Sequence, residues 1–191
     1  GIGKIESAYY LMAKDAGINM SECRLHLEGG RSHFMTRRFD RDDRGRRIHM
    51  QSLGAMQHFD FNDPASYSYE QAILTIRNLG LGMDVVEQQY RRATFNVVAR
   101  NQDDHVKNIS FLMDQSGAWR LSPAYDVAYS YNPNGRWTRD HQMSLAGKRN
   151  DFSRADLLTF ASNVGLKEAQ ACRAINDVVR SVKKWSTFAD K

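Results

Sequence analysis

Residues 100–126, RNQDDHVKNISFLMDQSGAWRLSPAYD, combine a polar loop, a predicted β-hairpin and a later carboxylate. Two short apolar runs, 109–113 and 118–121, flank the turn-forming sequence Asp-Gln-Ser-Gly and therefore predict the hairpin. The polar loop with Asp103 precedes the hairpin, and Asp126 follows it shortly after a proline. Because a hairpin brings its two ends together, we expect these acidic positions to lie near one point in space.

The composition is that of an ordinary globular domain, since 41% of the 191 residues are hydrophobic and 26% are charged. No apolar run approaches the ~18 residues of a membrane span, so no membrane association is expected. Cys23 and Cys172 lie far apart without a CxxC pair, which favours reduced thiols and a cytoplasmic protein. The net charge of +5 suits anionic partners such as nucleotides or nucleic acid, without selecting one.

The sequence predicts one helix-rich domain, mainly α with two small β-hairpins, and contains no internal repeat or flexible linker. Apolar residues recur at helical spacing in five segments, which are 3–17, 69–78, 83–100, 154–163 and 166–188. Alternating residues around a Gly-Gly turn predict the first hairpin, over 22–28 and 32–38, and a short strand is expected over 141–145. Residues 48–61 have no clear period, so the sequence assigns no element to them.

A run of charged residues follows the first hairpin, with six arginines and three aspartates between positions 37 and 47. Opposite charges at such density favour a solvated loop that is held by its own salt bridges. A nucleic-acid contact is the alternative, although such patches normally carry fewer acidic residues.

The polar loop contains residue types that phosphoryl transfer uses, at the spacing found in kinase catalytic loops. This chemistry uses a carboxylate to orient or deprotonate the acceptor hydroxyl, and an amide and a carboxylate to hold Mg²⁺ against the phosphates. Asp103 and Asn108 have the D-x-x-x-x-N spacing of kinase catalytic loops, whereas Asp104 does not. Asp126 arrives after a strand–turn–strand, as the metal-binding aspartate of kinases does, and its oxygens suit Mg²⁺. Lys107 could reach a phosphate as a point charge.

Two other interpretations of the same loop stay open at this point. The loop could simply cap the preceding helix and start the hairpin, because D-x-x-x-x-N occurs by chance in many proteins. Alternatively, Asp103, Asp104 and His105 could be ligands of a metal-dependent phosphohydrolase, although the other five histidines show no matching ligand spacing.

Taken together, these stretches resemble a known family. HipA-type serine/threonine kinases, the toxins of bacterial toxin–antitoxin pairs, carry a signature similar to DDHVKN at 103–108 and LSPAYDV at 121–127. Their strand-to-linker segment resembles TRRFDR at 36–41, and their regulatory-type helix resembles Glu6 together with AKDAGI at 13–18. The resemblance covers almost the whole chain.

The resemblance implies a set of site residues for ATP and Mg²⁺. Asp103 would be the proton acceptor, and Asn108 and Asp126 would be the Mg²⁺ ligands. The other positions would contact the nucleotide: His105, Val106, Lys107 and Tyr125 would line its site, and Arg37, Arg38 and Phe39 would meet the adenine edge.

The resemblance also implies a particular part of the kinase fold. The chain would be a protein-kinase-like C-terminal lobe with its hinge, in which 1–47 supplies a helix, a hairpin and the hinge-like segment and 48–191 supplies the helical lobe with the catalytic loop. The family carries, before this region, a phosphate-binding loop with a regulatory serine and a strand lysine that grips the phosphates. No residues ahead of Glu6 supply either, so we expect an N-terminal lobe that is mostly absent and a chain that transfers phosphate poorly by itself.

The family further implies partners. A HipB-like helix-turn-helix antitoxin is expected, with operator DNA bound through that complex and a protein substrate such as an aminoacyl-tRNA synthetase. A second interpretation makes the chain a non-catalytic module that acts through antitoxin and DNA contacts, with the arginine-rich loop 37–47 on the phosphates.

Overall fold

The computed structural model describes residues 1–63 and 65–190, and helices dominate these two ranges. In chain order the elements are α1 (Ile2–Asp15), β1 (Cys23–Glu28), β2 (Arg31–Thr36), β3 (His49–Ser52), α2 (Leu53–Gln57), α3 (Tyr69–Asn78), α4 (Met83–Val98), β4 (Ser110–Met113), β5 (Trp119–Leu121), α5 (Arg154–Asn163), α6 (Glu168–Val182) and α7 (Trp185–Ala189). Strands β1 and β2 form one antiparallel pair, and β3, β4 and β5 form a three-stranded antiparallel sheet in that order. None of the described helices is long and apolar enough to cross a bilayer.

The largest apolar core lies between helices α3 to α6 and the three-stranded sheet. Tyr69, Tyr90 and Phe160 are fully buried in it, and the rings of Tyr90 and Phe160 stack with their centroids 5.4 Å apart. Helix α3 begins where the side chains of Ser68 and Gln71 each accept a hydrogen bond from the other residue's backbone N–H. This capping box satisfies donors that the first turn leaves free, and it fixes the point at which the apolar face of α3 enters the core.

Helix α1 packs against the helical lobe through a second, smaller apolar cluster. The Tyr9 hydroxyl donates to the backbone carbonyl of Ala99 at 2.5 Å. Arg91 of α4 adds a polar link, because its Nη1 donates to the carbonyl of Ala16 at 2.8 Å and to the Asp177 carboxylate at 3.0 Å. The side chain of Arg91 is only 11% exposed, so this link is largely shielded from solvent. These contacts attach α1, and with it the first hairpin, to the lobe.

The second predicted hairpin is confirmed as β4 and β5, and β3 adds a strand that the sequence does not predict. Phe111 of β4 pairs with Gln51 on one side and with Leu121 on the other. Strand β3 is too short to show a period, and it runs directly into α2, where the Ser52 side chain accepts a hydrogen bond from the Ala55 N–H. Because Ser52 is both the last residue of β3 and the N-cap of α2, two different patterns meet within 48–61.

Most of the predicted helices are confirmed. The bounds 69–78 and 154–163 are reproduced, and the first and third helices end two residues earlier than predicted. The prediction of one helix over 166–188 is wrong, because α6 ends at Val182 and α7 begins at Trp185. The break turns the chain so that the Trp185 ring meets the Tyr9 ring of α1 edge to face, with the centroids 5.5 Å apart.

The predicted strand over 141–145 is also wrong. This segment is irregular, and Ser144 and Leu145 form isolated bridges rather than a ladder. One reason is that a side chain takes the place of a partner strand, since the backbone N–H of Gln142 donates to the Asp104 carboxylate. The segment 141–145 therefore lies against the polar loop.

Candidate active site

Asp104 is a buried residue of the polar loop 101–108, and its side chain attaches the loop to the core. Its side chain is 1% exposed. The Tyr69 hydroxyl and His141 Nδ1 donate to Oδ2 at 2.7 and 2.8 Å, and the backbone N–H of Gln142 donates to Oδ1 at 2.8 Å. A buried carboxylate needs such partners, and here they come from α3 and the segment 141–145. Asp104 is thus an anchor for the loop.

The Tyr69 hydroxyl links this anchor to a wider polar network. Burial raises the pKa of Tyr69 well above its usual value, and the negative charge of Asp104 adds to the shift. Tyr69 therefore remains a hydrogen-bond donor, while it accepts from Asn96 Nδ2 at 2.9 Å. Asn96 in turn accepts from Asn101 Nδ2 at 3.0 Å, so the network continues into the start of the loop.

Asp103 has surroundings opposite to those of its neighbour. Its side chain is 47% exposed, and Gln142 Nε2 donates to its Oδ1 at 2.5 Å. The backbone N–H of Asp103 donates to Ser130 Oγ at 2.9 Å, and Asn108 Nδ2 donates to its backbone carbonyl at 2.9 Å. Asp103 is therefore a supported, accessible carboxylate that can accept a proton from a bound molecule.

Asn108 and Asp126 line one small cavity of about 30 Å³. The amide nitrogen of Asn108 is used by the carbonyl of Asp103, so its Oδ1 is the atom that is left for a ligand. Asp126 is exposed and has a φ of +54°, in the left-handed region that aspartate enters more readily than most residues. Asn108 of the polar loop thus approaches the second carboxylate, whereas Asp103 does not line this cavity.

Arg92 of α4, a residue that the sequence does not single out, holds the segment that leads from β5 to Asp126. Its side chain is buried, and Nη2 donates to the backbone carbonyl of Ser122 at 2.7 Å. Burial lowers the pKa of Arg92 to about 10, which leaves it cationic at neutral pH. Its Nε has no hydrogen-bond partner among the described residues, and Arg92 also lines the cavity with Asn108 and Asp126. The adjacent arginines on the apolar face of α4 are the sequence signal that points to it.

The donor atoms at this cavity suit Mg²⁺. An amide oxygen of Asn108 and the carboxylate of Asp126 are hard ligands, and Mg²⁺ completes such a sparse set with water and phosphate oxygens. Within 1–63 and 65–190, no three His, Cys, Asp or Glu side chains are grouped so that they could hold a metal ion. The Asp104 carboxylate faces Tyr69 and His141, which counts against a hydrolase centre that uses Asp104.

The hinge-like segment reaches the site through Phe39. Its ring centroid lies 5.3 Å from that of Tyr125, with the planes tilted by 40°. The Tyr125 hydroxyl donates to the carbonyl of Lys107 at 2.5 Å and also contacts Ser110 Oγ. Burial raises the pKa of Tyr125, so this hydroxyl keeps its proton. Phe39, Tyr125 and the polar loop are therefore brought together.

Arg37 and Arg38 are engaged in ion pairs within their own loop. Arg37 contacts Asp43 at 2.6 Å, and Arg38 donates to both oxygens of Asp40 at 2.8 and 2.5 Å. The hydrogen bonds from Arg38 lower the pKa of Asp40 to about 2, and Arg41 adds a further contact at 2.6 Å. The prediction of a salt-bridged loop is confirmed. Neither Arg37 nor Arg38 lines the cavity described above.

The three residues in the middle of the polar loop have different surroundings. Val106 is 2% exposed and packs in the core against α2. Lys107 is exposed, and its Nζ lies 3.3 Å from the centroid of the Phe61 ring. His105 Nε2 lies 4.0 Å from Asp103 Oδ1, and its Nδ1 is buried without a partner in the described part of the chain. The Val106 side chain thus has a packing role, and the exposed Lys107 ammonium lies against the Phe61 ring.

Glu6 of α1 places a further carboxylate near Asp126. Burial raises the pKa of Glu6, and the negative charge of Asp126 raises it further. The two carboxylates are thus close enough to repel each other. A cation held at Asp126 would relieve this repulsion.

Comparison with known proteins identifies a family and similar folds. The model of the HipA-like C-terminal domain matches residues 2–186. Comparison with curated protein sequences finds no match. The structure resembles HipA of Shewanella oneidensis MR-1, solved with HipB and its operator DNA, with a TM-score of 0.81, 17% identity and coverage of 98% of this chain and 50% of that one. It also resembles the Helicobacter pylori proinflammatory kinase CtkA, with a TM-score of 0.60, 9% identity and coverage of 98% and 84%.

The chain spans about half the length of the HipA chain that it matches, at 50% coverage. At such low identities the two structures establish a shared kinase-like fold, made here of helices and small sheets. The family match extends over nearly all of the sequence, so the resemblance to HipA-type proteins is confirmed, and the chain belongs to the HipA-like C-terminal domain family.

Proposed function

We propose that this chain carries the catalytic loop and the metal ligands of a serine/threonine protein kinase of the HipA type. The reaction would move the γ-phosphate of ATP to a hydroxyl group of a protein. The observation that carries the proposal is the difference between the two aspartates of the loop. Asp104 is buried and anchors the loop, whereas the Asp103 carboxylate is accessible. Asn108 is hydrogen-bonded to the backbone of Asp103 and shares a cavity with Asp126, which supports a base and two metal ligands that lie close together.

Asp103 would act as the base. Its contacts with Gln142 and His105 involve Oδ1, which leaves Oδ2 to face the acceptor hydroxyl. The carboxylate orients the hydroxyl and takes its proton as the new oxygen–phosphorus bond forms and the bond to ADP breaks. The hydrogen bond from Asn108 to the Asp103 carbonyl keeps the base and the ligand oxygen at a fixed separation, and fixed geometry lowers the barrier.

ATP and Mg²⁺ are the cofactors that this site would take. Mg²⁺, when held by Asn108 Oδ1 and Asp126, would neutralise charge on the phosphate oxygens. The exposed ammonium of Lys107 would reach a phosphate, beside His105. Phe39 and Tyr125 would offer aromatic faces near the adenine base, and Tyr125 would line the nucleotide site.

The hinge-like segment would meet the adenine edge mainly through its backbone. The guanidinium groups of Arg37 and Arg38 are paired with Asp43 and Asp40 within their own loop. Their backbone groups, next to Phe39, remain as hydrogen-bonding partners for the adenine edge.

The partners would be those of a toxin–antitoxin pair in the bacterial cytoplasm. The similar HipA structure contains HipB and operator DNA. We extend this arrangement to the present chain, with a HipB-like antitoxin as direct partner and operator DNA bound through the complex. The protein substrate would be of the kind that the family resemblance implies, an aminoacyl-tRNA synthetase.

A non-catalytic role through DNA is the second proposal, and one observation favours it. In loop 37–47, four arginines form ion pairs with aspartates: Arg37, Arg38, Arg41 and Arg46. Arg44 and Arg47 have no ion pair among the described residues, so they are left to contact phosphates.

Incubation of the complete gene product with labelled ATP, with and without Mg²⁺, tests the kinase proposal. Phosphate should appear on the protein only when Mg²⁺ is present, and a chelator should stop the reaction. A gene product that binds ATP and yet labels neither itself nor any protein of a bacterial extract would refute the proposal and favour the non-catalytic role.

A further inference from the structure

Gln142 contacts both aspartates of the polar loop. Its backbone N–H donates to Asp104 Oδ1 at 2.8 Å, and its side-chain Nε2 donates to Asp103 Oδ1 at 2.5 Å. No other residue in the described ranges hydrogen-bonds to both aspartates. One residue thus connects the buried anchor to the accessible carboxylate.

The surroundings of Gln142 keep its side chain in place. Gln142 is 6% exposed, and its neighbours His141 and Met143 are 2% and 1% exposed. The His141 ring is bonded to Asp104, and the backbone carbonyl of Gln142 accepts from the Ala65 N–H at 3.0 Å. Because the backbone at Gln142 is held on both sides and the residue is buried, its side chain has few other rotamers available.

We propose that Gln142 is a positioning residue for phosphoryl transfer, which fixes the rotamer of Asp103 so that Oδ2 faces the acceptor hydroxyl. This inference rests on the proposed kinase function. The Asp103 side chain is 47% exposed, so without a partner it would be free to turn into solvent. An amide donor holds one oxygen of the carboxylate and adds no positive charge beside the base, as an arginine or lysine would.

Two substitutions of similar size test the proposal in the complete gene product. Gln142→Leu removes the donor, and Gln142→Glu replaces it with a carboxylate directed at Asp103. Gln170→Glu is the matched control, because Gln170 Nε2 also donates to a carboxylate, that of Glu87 at 3.0 Å, but on α6. The quantities to measure are the phosphorylation rate at saturating ATP, the ATP concentration for half-maximal rate, and the melting temperature.

If Gln142 positions Asp103, the phosphorylation rate should fall in both Gln142 variants, and by different amounts. Gln142→Leu should lower the saturating rate roughly 10- to 100-fold, the range that small misplacements of a catalytic group produce. Gln142→Glu should lower it further, because two carboxylates would face each other. The half-saturating ATP concentration should stay within about twofold in both variants, and Gln170→Glu should match the wild type.

Three outcomes would overturn the proposal or its basis. Wild-type rates in both Gln142 variants, in a protein that needs Asp103, would overturn the positioning role and leave the kinase proposal intact. Equal losses in both variants that follow a fall in melting temperature would show that Gln142 only stabilises the fold. A wild-type protein that transfers no phosphate would overturn the proposed function itself.

Discussion

The side-chain amide of Asn108 donates a hydrogen bond of 2.9 Å to the backbone carbonyl of Asp103. This bond closes the polar loop on itself and determines which atom of Asn108 is left for a metal ion. It also ties the backbone of the proposed base to the side chain of a proposed ligand.

Asn108→Asp should separate metal binding from transfer. The aspartate keeps an oxygen for Mg²⁺, but it loses the amide that donates to Asp103. We therefore expect Mg²⁺·ATP affinity within a few fold of the wild type and a phosphorylation rate about tenfold lower, the effect of one hydrogen bond. Calorimetry and single-turnover labelling measure the two quantities. A variant with wild-type rate would show that the bond to Asp103 is irrelevant to transfer.

Asp104→Asn should destabilise the protein. The carboxylate accepts from Tyr69, His141 and the Gln142 N–H, and an amide offers one oxygen and puts its own NH₂ against a donor. A cost of about 1–3 kcal/mol is expected from the unsatisfied donors. The melting temperature should fall by several degrees, whereas Asp15→Asn, at an exposed ion pair with Lys184, should leave it nearly unchanged. Equal melting temperatures for the two variants would contradict the anchoring role.

Glu6→Gln should stabilise the protein near neutral pH. The pKa of Glu6 is raised by burial and then by Asp126, so the folded state binds the proton more tightly than the unfolded state. The stability that this proton contributes is complete below the ordinary pKa of the group and is lost as pH rises through the raised value. The variant should therefore exceed the wild type by about 0.5 kcal/mol or less at pH 7, after allowance for solvent screening, and the difference should vanish towards pH 4.

Melting curves at the two pH values measure this difference, with Glu28→Gln at the exposed end of β1 as the control. Saturating Mg²⁺·ATP should shrink the advantage at pH 7, because a cation at Asp126 offsets the repulsion. A Glu6→Gln variant that is less stable than the wild type at pH 7 would contradict the proximity of Glu6 and Asp126.

Charge reversal at Arg44 and Arg47 tests the DNA role of loop 37–47. If these side chains contact phosphates, the double Glu variant should weaken binding of operator DNA by the antitoxin complex and flatten its salt dependence by about two units in slope. Titration at several salt concentrations measures both. The same change at Arg37 and Arg38 should have a smaller effect, since their charges are already paired. Unchanged binding in the Arg44 and Arg47 variant would remove the DNA role.

Local signals account for the parts of the fold that the sequence predicts well. The bounds of α3 follow from a capping box whose members, Ser68 and Gln71, are three residues apart. The turn between β4 and β5 follows from residues that favour turns, with Asp114 accepting from the backbone N–H groups of Ser116 and Ala118. In each case the signal lies within a few residues of the structure that it determines.

The parts that the sequence does not predict depend on distant contacts. No glycine or proline marks the break between α6 and α7, which serves the packing of Trp185 on Tyr9. The different roles of Asp103 and Asp104 come from residues more than 30 positions away, chiefly Tyr69 and Gln142. Spacing alone selects Asp103, and the tertiary contacts supply a physical reason for that choice.

The most direct test of the central claim compares the complete gene product with its Asp103→Asn variant. Both should bind Mg²⁺·ATP with similar affinity, because the proposed ligands Asn108 and Asp126 are unchanged. With labelled ATP, the account predicts phosphate on the wild-type protein and at least a ~100-fold slower reaction in the variant, as expected when a general base is removed. Equal labelling of the two proteins would contradict the account, because the base would then lie elsewhere.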